Sequence, residues 1–106
     1  NDAYLSFKTG KIVPPTNIKT VADGLLTSFS PLTFESVRAN VDQVLTASEE
    51  SIIECMLLVW ERMKIVIEPS SAVVLAVIKE NKSMFKGMRA GLIISGGNVD
   101  FRKLPF

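Results

Sequence analysis

The sequence predicts an α/β fold, an open sheet flanked by helices. Three observations predict it. Residues 46–63 set apolar side chains on a helical rhythm behind a capping residue, and two brief runs, 42–46 and 92–94, have the length of strands. The second run, Leu92-Ile93-Ile94, breaks at its carboxyl end into Ser95-Gly96-Gly97-Asn98. Ligands of open α/β sheets bind at the carboxyl ends of strands, where glycines let backbone and ligand approach closely.

The elements follow in order. Residues 2–7 are mildly helical and end at Lys8-Thr9-Gly10, a base and a glycine where a helix C-terminus favours them. Pro14-Pro15-Thr16-Asn17 imposes an extended or turning connection. Ser30-Pro31 leads into a second helix, on which Phe34, Val37 and then Val41 recur at helical spacing. Residues 42–46 are a brief strand candidate. Thr46 or Ser48 caps the third and clearest helix, with Glu49 and Glu50 in the positive first turn. Ile52, Ile53, Met56, Leu57, Trp60 and Met63 keep the i, i+3, i+4 rhythm, while Glu50, Glu54 and Glu61 mark the wet face. Leu58 and Val59 widen the apolar stripe, which implies burial on more than one side. Pro69 suits a first helical turn, and the apolar run 72–78 continues into Lys79-Glu80-Asn81, so its length favours a buried helix over a strand. Lys86-Gly87 then turns the chain into the final strand. No repeat, low-complexity tract or linker stands out, so residues 1–106 read as one piece of one domain.

Composition bounds the function. A chain of 106 residues buries only about two-thirds of its unfolded surface. Its 47% hydrophobic content and mean hydropathy of +0.29 therefore leave apolar faces that belong against something else. Twelve basic against eleven acidic residues argue against nucleic acid as the main partner. The basic bias from Lys79 onward reads as a solvated face. Cys55 is the only cysteine and histidine is absent, which excludes an internal disulfide, a Cys/His zinc site and any Ser-His or Cys-His nucleophile within these residues. The unpaired thiol favours a reducing, cytoplasmic setting, and Cys55 reads as apolar filler on a helix. The longest apolar run falls far short of the roughly 18 residues of a membrane span, and no signal peptide is visible. A start at Asn1 rather than methionine suggests further sequence upstream.

Taken alone, these residues support an α/β protein with a ligand loop at 95–98. The Gly96-Gly97 turn would equally serve as an anion nest in a stand-alone nucleotide- or small-ligand-binding module. The apolar faces would also suit a structural interaction fragment without catalysis.

A collinear set of segments narrows the choice. Asn1-Asp2-Ala3-Tyr4, Thr20-Val21-Ala22-Asp23-Gly24, Leu32-Thr33-Phe34, Ser48-Glu49-Glu50, Trp60-Glu61-Arg62-Met63-Lys64, Glu68-Pro69-Ser70 and Ser95-Gly96-Gly97-Asn98-Val99-Asp100 follow one another along the whole chain. This order resembles the C-terminal part of fold-type-II pyridoxal-phosphate enzymes, in particular serine racemases and serine, threonine and threo-3-hydroxyaspartate dehydratases. The resemblance implies a tryptophan synthase β-like fold, an open twisted and mostly parallel sheet with flanking helices, with residues 1–106 as the C-terminal part of the large cofactor-binding domain. It implies β-elimination of water from an amino-acid substrate to give a 2-oxo acid and ammonia, with racemisation as a companion activity.

The resemblance also assigns residues. Ser95 matches the serine that hydrogen-bonds the pyridine nitrogen of pyridoxal 5'-phosphate; the alternative is a turn residue capping a buried strand. Asp2 aligns with a carboxylate that, in the racemase group, helps hold Mg2+ or Ca2+, while its partner ligands belong upstream; it reads equally as a solvated acid at a helix start. Glu68 belongs to an E-P-S-G segment near the cofactor, and here Ser71 stands where glycine is usual, so the geometry of that loop is open; a buried structural cap is the alternative for Glu68. Lys64 and Asn98 match positions that hold ATP as an effector between subunits, although the helix dipole alone accounts for a lysine at Lys64. Asp23 and Thr27 fall near the metal and the domain hinge, and Trp60 reads as core or subunit-interface packing. No catalytic residue is expected in this chain: the Schiff-base lysine, the serine on the opposite face, the asparagine loop and the glycine-rich phosphate cradle belong to an N-terminal segment. The chain alone is therefore expected to be inactive, and the intact enzyme to be a homodimer. The end at Phe106, without a regulatory extension, leans away from biosynthetic threonine dehydratases.

Overall fold

The computed structural model describes residues 1–106. It contains four α-helices, α1 (Asp2–Thr9), α2 (Pro31–Asn40), α3 (Glu49–Met63) and α4 (Pro69–Glu80), and one 3₁₀ turn at Asp23–Leu25. They are distributed over two compact units, one made of Asn1–Lys19 and Leu26–Thr46, the other of Thr20–Leu25 and Ala47–Phe106.

In the first unit, α1 carries Asp2 in its first turn and Lys8 in its last, the polarity its dipole favours. It stops at Gly10, whose φ of 72° is left-handed and whose N–H bonds the Ser6 carbonyl. Ser6 is buried, and its Oγ accepts from the Val13 N–H at 2.9 Å, which folds the following segment back onto the helix. α2 starts as expected: Ser30 caps it by accepting from the Thr33 N–H at 3.2 Å, and Pro31 occupies the first turn. Phe34 is its buried anchor, tilted against Phe29 with ring centroids 5.6 Å apart. The Arg38 guanidinium also lies over the Phe34 ring, 5.8 Å from the centroid.

The second unit holds the main core. α3 contributes Ile52, Cys55, Met56 and Val59; α4 contributes Ala72 and Ala76; Ile67 enters from the connector. Two fully buried alanines one turn apart let α3 and α4 approach closely, so the bulk of the contact comes from α3. Ser48 caps α3 through the Ser51 N–H at 3.2 Å, and the run 72–78 is helical, both as the sequence predicts. Trp60 donates its indole N–H to the Ile67 carbonyl at 2.9 Å and packs edge-on against Phe106, centroid to centroid 5.5 Å.

The sheet is where expectation and structure part. Neither 42–46 nor 92–94 is paired, and no strand forms anywhere in the chain. A strand is defined by hydrogen bonds to a neighbour, and these residues supply none for either run. Ile93 is left 82% exposed. In the first unit, Gln43, Val44 and Leu45 instead line an open hollow with Tyr4, Phe7 and Lys8. No helix is long and apolar enough to cross a membrane.

Candidate functional site

The N-terminus of α4 organises the candidate site. Pro69 sits in its first turn, where the missing N–H costs nothing, and the N–H groups of Ser71 and Ala72 close onto the Glu68 carbonyl at 3.0 and 3.2 Å. The side chains of Glu68, Ser70 and Ser71 are thereby free to bind other loops, and each does.

Glu68 and Ser71 hold the 95–98 loop. The Glu68 N–H donates to the Gly96 carbonyl at 3.1 Å, and Glu68 Oε2 accepts from the Asn98 N–H at 3.1 Å. The Ser71 hydroxyl accepts from the Gly96 N–H at 2.9 Å and donates to the Gly96 carbonyl at 3.0 Å. Ser70 holds the other loop, its Oγ accepting from the Gly24 N–H at 3.0 Å. A carboxylate at this end of α4 is also favoured by the helix dipole. The Glu68 side chain does not cap α4; its bond goes to Asn98.

Space, not backbone conformation, demands the glycines here. A β-carbon on Gly24 would stand 2.7 Å from Ser70 Oγ, and one on Gly97 would stand 2.7 Å from the Val66 carbonyl oxygen. Gly96 is crowded in the same way by the Glu68 carboxyl group. Chain and carboxylate are nested at van der Waals distance.

Ser95 stands at the entrance to this nest. It is exposed, and none of the chain's hydrogen bonds engages its hydroxyl, while its neighbour Gly96 is tied at both N–H and carbonyl. Asn98 shares the loop; its N–H is committed to Glu68 and its side chain is exposed. Lys64 is the C-cap of α3, exposed and left-handed at φ 60°, ψ 31°, two residues before the Val66 carbonyl that faces Gly97. Asp2 lies in the first unit, half-buried in the first turn of α1. No group of three His, Cys, Asp or Glu side chains gathers into a metal site. Asp23 is exposed in the 3₁₀ turn and Thr27 is exposed beyond it.

A profile described as "Pyridoxal-phosphate dependent enzyme" matches residues 1–96. The chain belongs to the pyridoxal-phosphate-dependent enzyme family. Beta-hydroxyaspartate dehydratase of Paracoccus denitrificans (strain Pd 1222) is 49% identical over 106 residues, which cover 100% of this chain and 34% of that protein. Among solved structures, serine racemase from Dictyostelium discoideum superposes with a TM-score of 0.83 at 49% identity, covering 94% of this chain and 32% of that one. Maize serine racemase gives a TM-score of 0.85 at 34% identity over 95% of this chain and 32% of that one. The chain thus spans about a third of the length of the relatives it matches.

The residues present fit one edge of pyridoxal phosphate. An uncommitted hydroxyl at Ser95 can both donate to and accept from a ring nitrogen. The sequence singles out Ser70 and Ser71 only as part of the segment after Glu68, Ser71 in place of the usual glycine, and gives no sign of their partners, which lie 46 and 25 residues away.

Away from the site, Cys55 is buried in the core. Burial pushes its thiol above the ordinary range, with nearby Lys79 partly opposing the shift, so it is a packing residue rather than a nucleophile.

Proposed function

We propose that this chain is the C-terminal portion of a pyridoxal-phosphate-dependent serine racemase or serine, threonine or threo-3-hydroxyaspartate dehydratase, with residues 1–106 as part of the large cofactor-binding domain. The observation that carries this proposal is an unengaged Ser95 hydroxyl on a loop tethered to α4, in a chain 49% identical to a beta-hydroxyaspartate dehydratase.

The cofactor, when bound, would supply an electron sink for chemistry at the α-carbon of an amino acid. Ser95 would hold its ring nitrogen through a hydrogen bond. A hydroxyl at Ser95, unlike a carboxylate, would not hold that nitrogen protonated, so the cofactor would supply a weaker electron sink there. Gly96 and Gly97 let the loop lie against Glu68 and Val66, which keeps Ser95 facing outward. The lysine anchor, the acid–base groups and the phosphate cradle reside in the N-terminal segment of the same enzyme, so this chain by itself is inactive. That segment also supplies the strands that pair with 42–46 and 92–94. The products are a 2-oxo acid and ammonia.

Three accessory roles belong to the same proposal. Asp2 contributes one oxygen ligand to Mg2+ or Ca2+, and Lys64 with Asn98 contacts ATP at the interface of a cytoplasmic homodimer. The test is the intact protein with pyridoxal phosphate: visible absorbance from the bound cofactor, and 2-oxo acid released from L-serine, L-threonine or L-threo-3-hydroxyaspartate. Ser95→Ala should shift that absorbance and slow release. An intact protein that neither binds the cofactor nor forms a 2-oxo acid would sink the proposal, and turnover by residues 1–106 alone would sink the fragment's inactivity.

A further inference from the structure

We infer that Ser71 is the positioning residue that sets the orientation of Ser95, so that one buried hydroxyl on α4 tunes how the protein grips the ring nitrogen of its cofactor. This rests on the assignment of Ser95 made above and goes one step further into the same site.

The geometry is specific. Ser71 is 4% exposed and lies in the first turn of α4, a rigid element packed against α3. Its Oγ accepts from the Gly96 N–H, which fixes the plane of the Ser95–Gly96 peptide, and it donates to the Gly96 carbonyl, which fixes the plane of the next. One atom therefore holds the peptide plane beside Ser95 and shares the next with the Glu68 N–H, which also reaches the Gly96 carbonyl at 3.1 Å. The segment it holds is Gly96-Gly97, where the backbone has the widest intrinsic freedom. Glu68 tethers the far end of the loop at Asn98, leaving Ser71 as the side chain that holds the peptide adjoining Ser95. Ser71→Ala would keep helix and packing but delete both bonds.

The experiment is a double-mutant cycle in the intact protein, read by cofactor dissociation constant and by the absorbance of the bound cofactor. Hydrogen exchange at the Gly96 amide in the cofactor-free protein is the second readout. Ser71→Ala is expected to weaken cofactor binding roughly 2- to 10-fold, the span of one or two ordinary hydrogen bonds, and to shift its absorbance toward that of Ser95→Ala. Added to Ser95→Ala it should cause no further loss, and Gly96 exchange should accelerate in both backgrounds. Ser71→Gly is expected to behave as Ser71→Ala and replaces it should the alanine variant fail to fold. Equal losses with and without Ser95 would mean that Ser71 only supports the fold, and an unchanged affinity would mean that it positions nothing; either overturns the inference. If Ser95→Ala alone leaves binding and absorbance unchanged, the Ser95 assignment fails and this inference falls with it. A normal Ser95→Ala effect beside a silent Ser71→Ala removes only the present inference.

Discussion

A β-carbon placed on Gly96 would stand 2.6 Å from the carboxyl carbon of Glu68, closer than any packed pair of carbons tolerates. The carboxylate cannot simply swing aside, because Oε2 accepts the Asn98 N–H. Gly96→Ala should therefore break the Glu68–Asn98 bond, cost about 1–3 kcal/mol of stability, and weaken cofactor binding. Glu68→Ala in the same protein should recover part of the stability, since it opens the space. Thermal melting of the two single variants and the double variant checks this.

Gly97→Ala should be worse than Gly96→Ala. The obstacle there is the Val66 carbonyl, 2.7 Å from the would-be β-carbon, and backbone yields less readily than a side chain. No side-chain truncation relieves it. The expected result is a lower melting temperature than Gly96→Ala gives, without rescue by Glu68→Ala. Equal melting temperatures for the two alanine variants would contradict the crowding argument.

Local signals were legible and long-range ones were not. Ser30-Pro31 and Ser48 mark helix starts because a cap is made within three residues, and Pro69 marks one because its missing N–H costs nothing in a first turn. The runs 42–46 and 92–94 fail as strands because a ladder needs a paired neighbour, and no other segment of residues 1–106 pairs with either. The Ser95 loop was visible through its two glycines, but its tether was not: the Ser71–Gly96 and Ser70–Gly24 bonds join positions 25 and 46 residues apart. Serine in a first helical turn has a complete local explanation, which hides a second task.

Glu80 gives the stability of the second unit a pH dependence. Its carboxylate accepts from the Ser48 hydroxyl at 2.6 Å and the Ser48 N–H at 3.0 Å, bridging the end of α4 to the cap of α3. Bonds from the Ser48 and Ser51 side chains, then the Ser48 backbone, hold Glu80 below the ordinary carboxylate range. A depressed folded value means that the stabilisation is complete above the unfolded pKa near 4.5 and fades as pH falls through the lower folded value. Urea midpoints from pH 7 to pH 3 should fall less steeply for Glu80→Gln than for the parent. The exposed Lys79–Glu54 pair beside it should contribute little and lose that little in salt.

The α3–α4 contact should be asymmetric toward mutation. Met56 is fully buried, so Met56→Ala leaves a cavity and should cost about 2–5 kcal/mol. Ala76 is equally buried on the opposing helix, so Ala76→Leu fails by crowding, at about 1–3 kcal/mol. Combining Met56→Ala with Ala76→Leu should cost less than the sum, because the added side chain can fill the space vacated. Denaturant unfolding of all three variants tests the coupling, and strict additivity would mean that the Met56 and Ala76 side-chain positions do not adjoin within the α3–α4 core.

Lys64 offers a substitution whose effects on stability and on ligand binding should oppose each other. It ends α3 at φ 60°, a left-handed conformation that is unfavourable by about 1–2 kcal/mol for a residue with a β-carbon, and its exposed side chain makes no ion pair within the chain. Lys64→Gly removes that strain and should raise the unfolding free energy by about 0.5–1 kcal/mol. If Lys64 also meets the phosphates of ATP in the intact dimer, the same change removes a charge from that site and should weaken nucleotide binding. Lys64→Gln separates the two effects, since glutamine removes the charge yet keeps a long side chain in the left-handed region. A more stable Lys64→Gly protein with unchanged ATP affinity, measured by calorimetry, would leave Lys64 as a helix cap and nothing more.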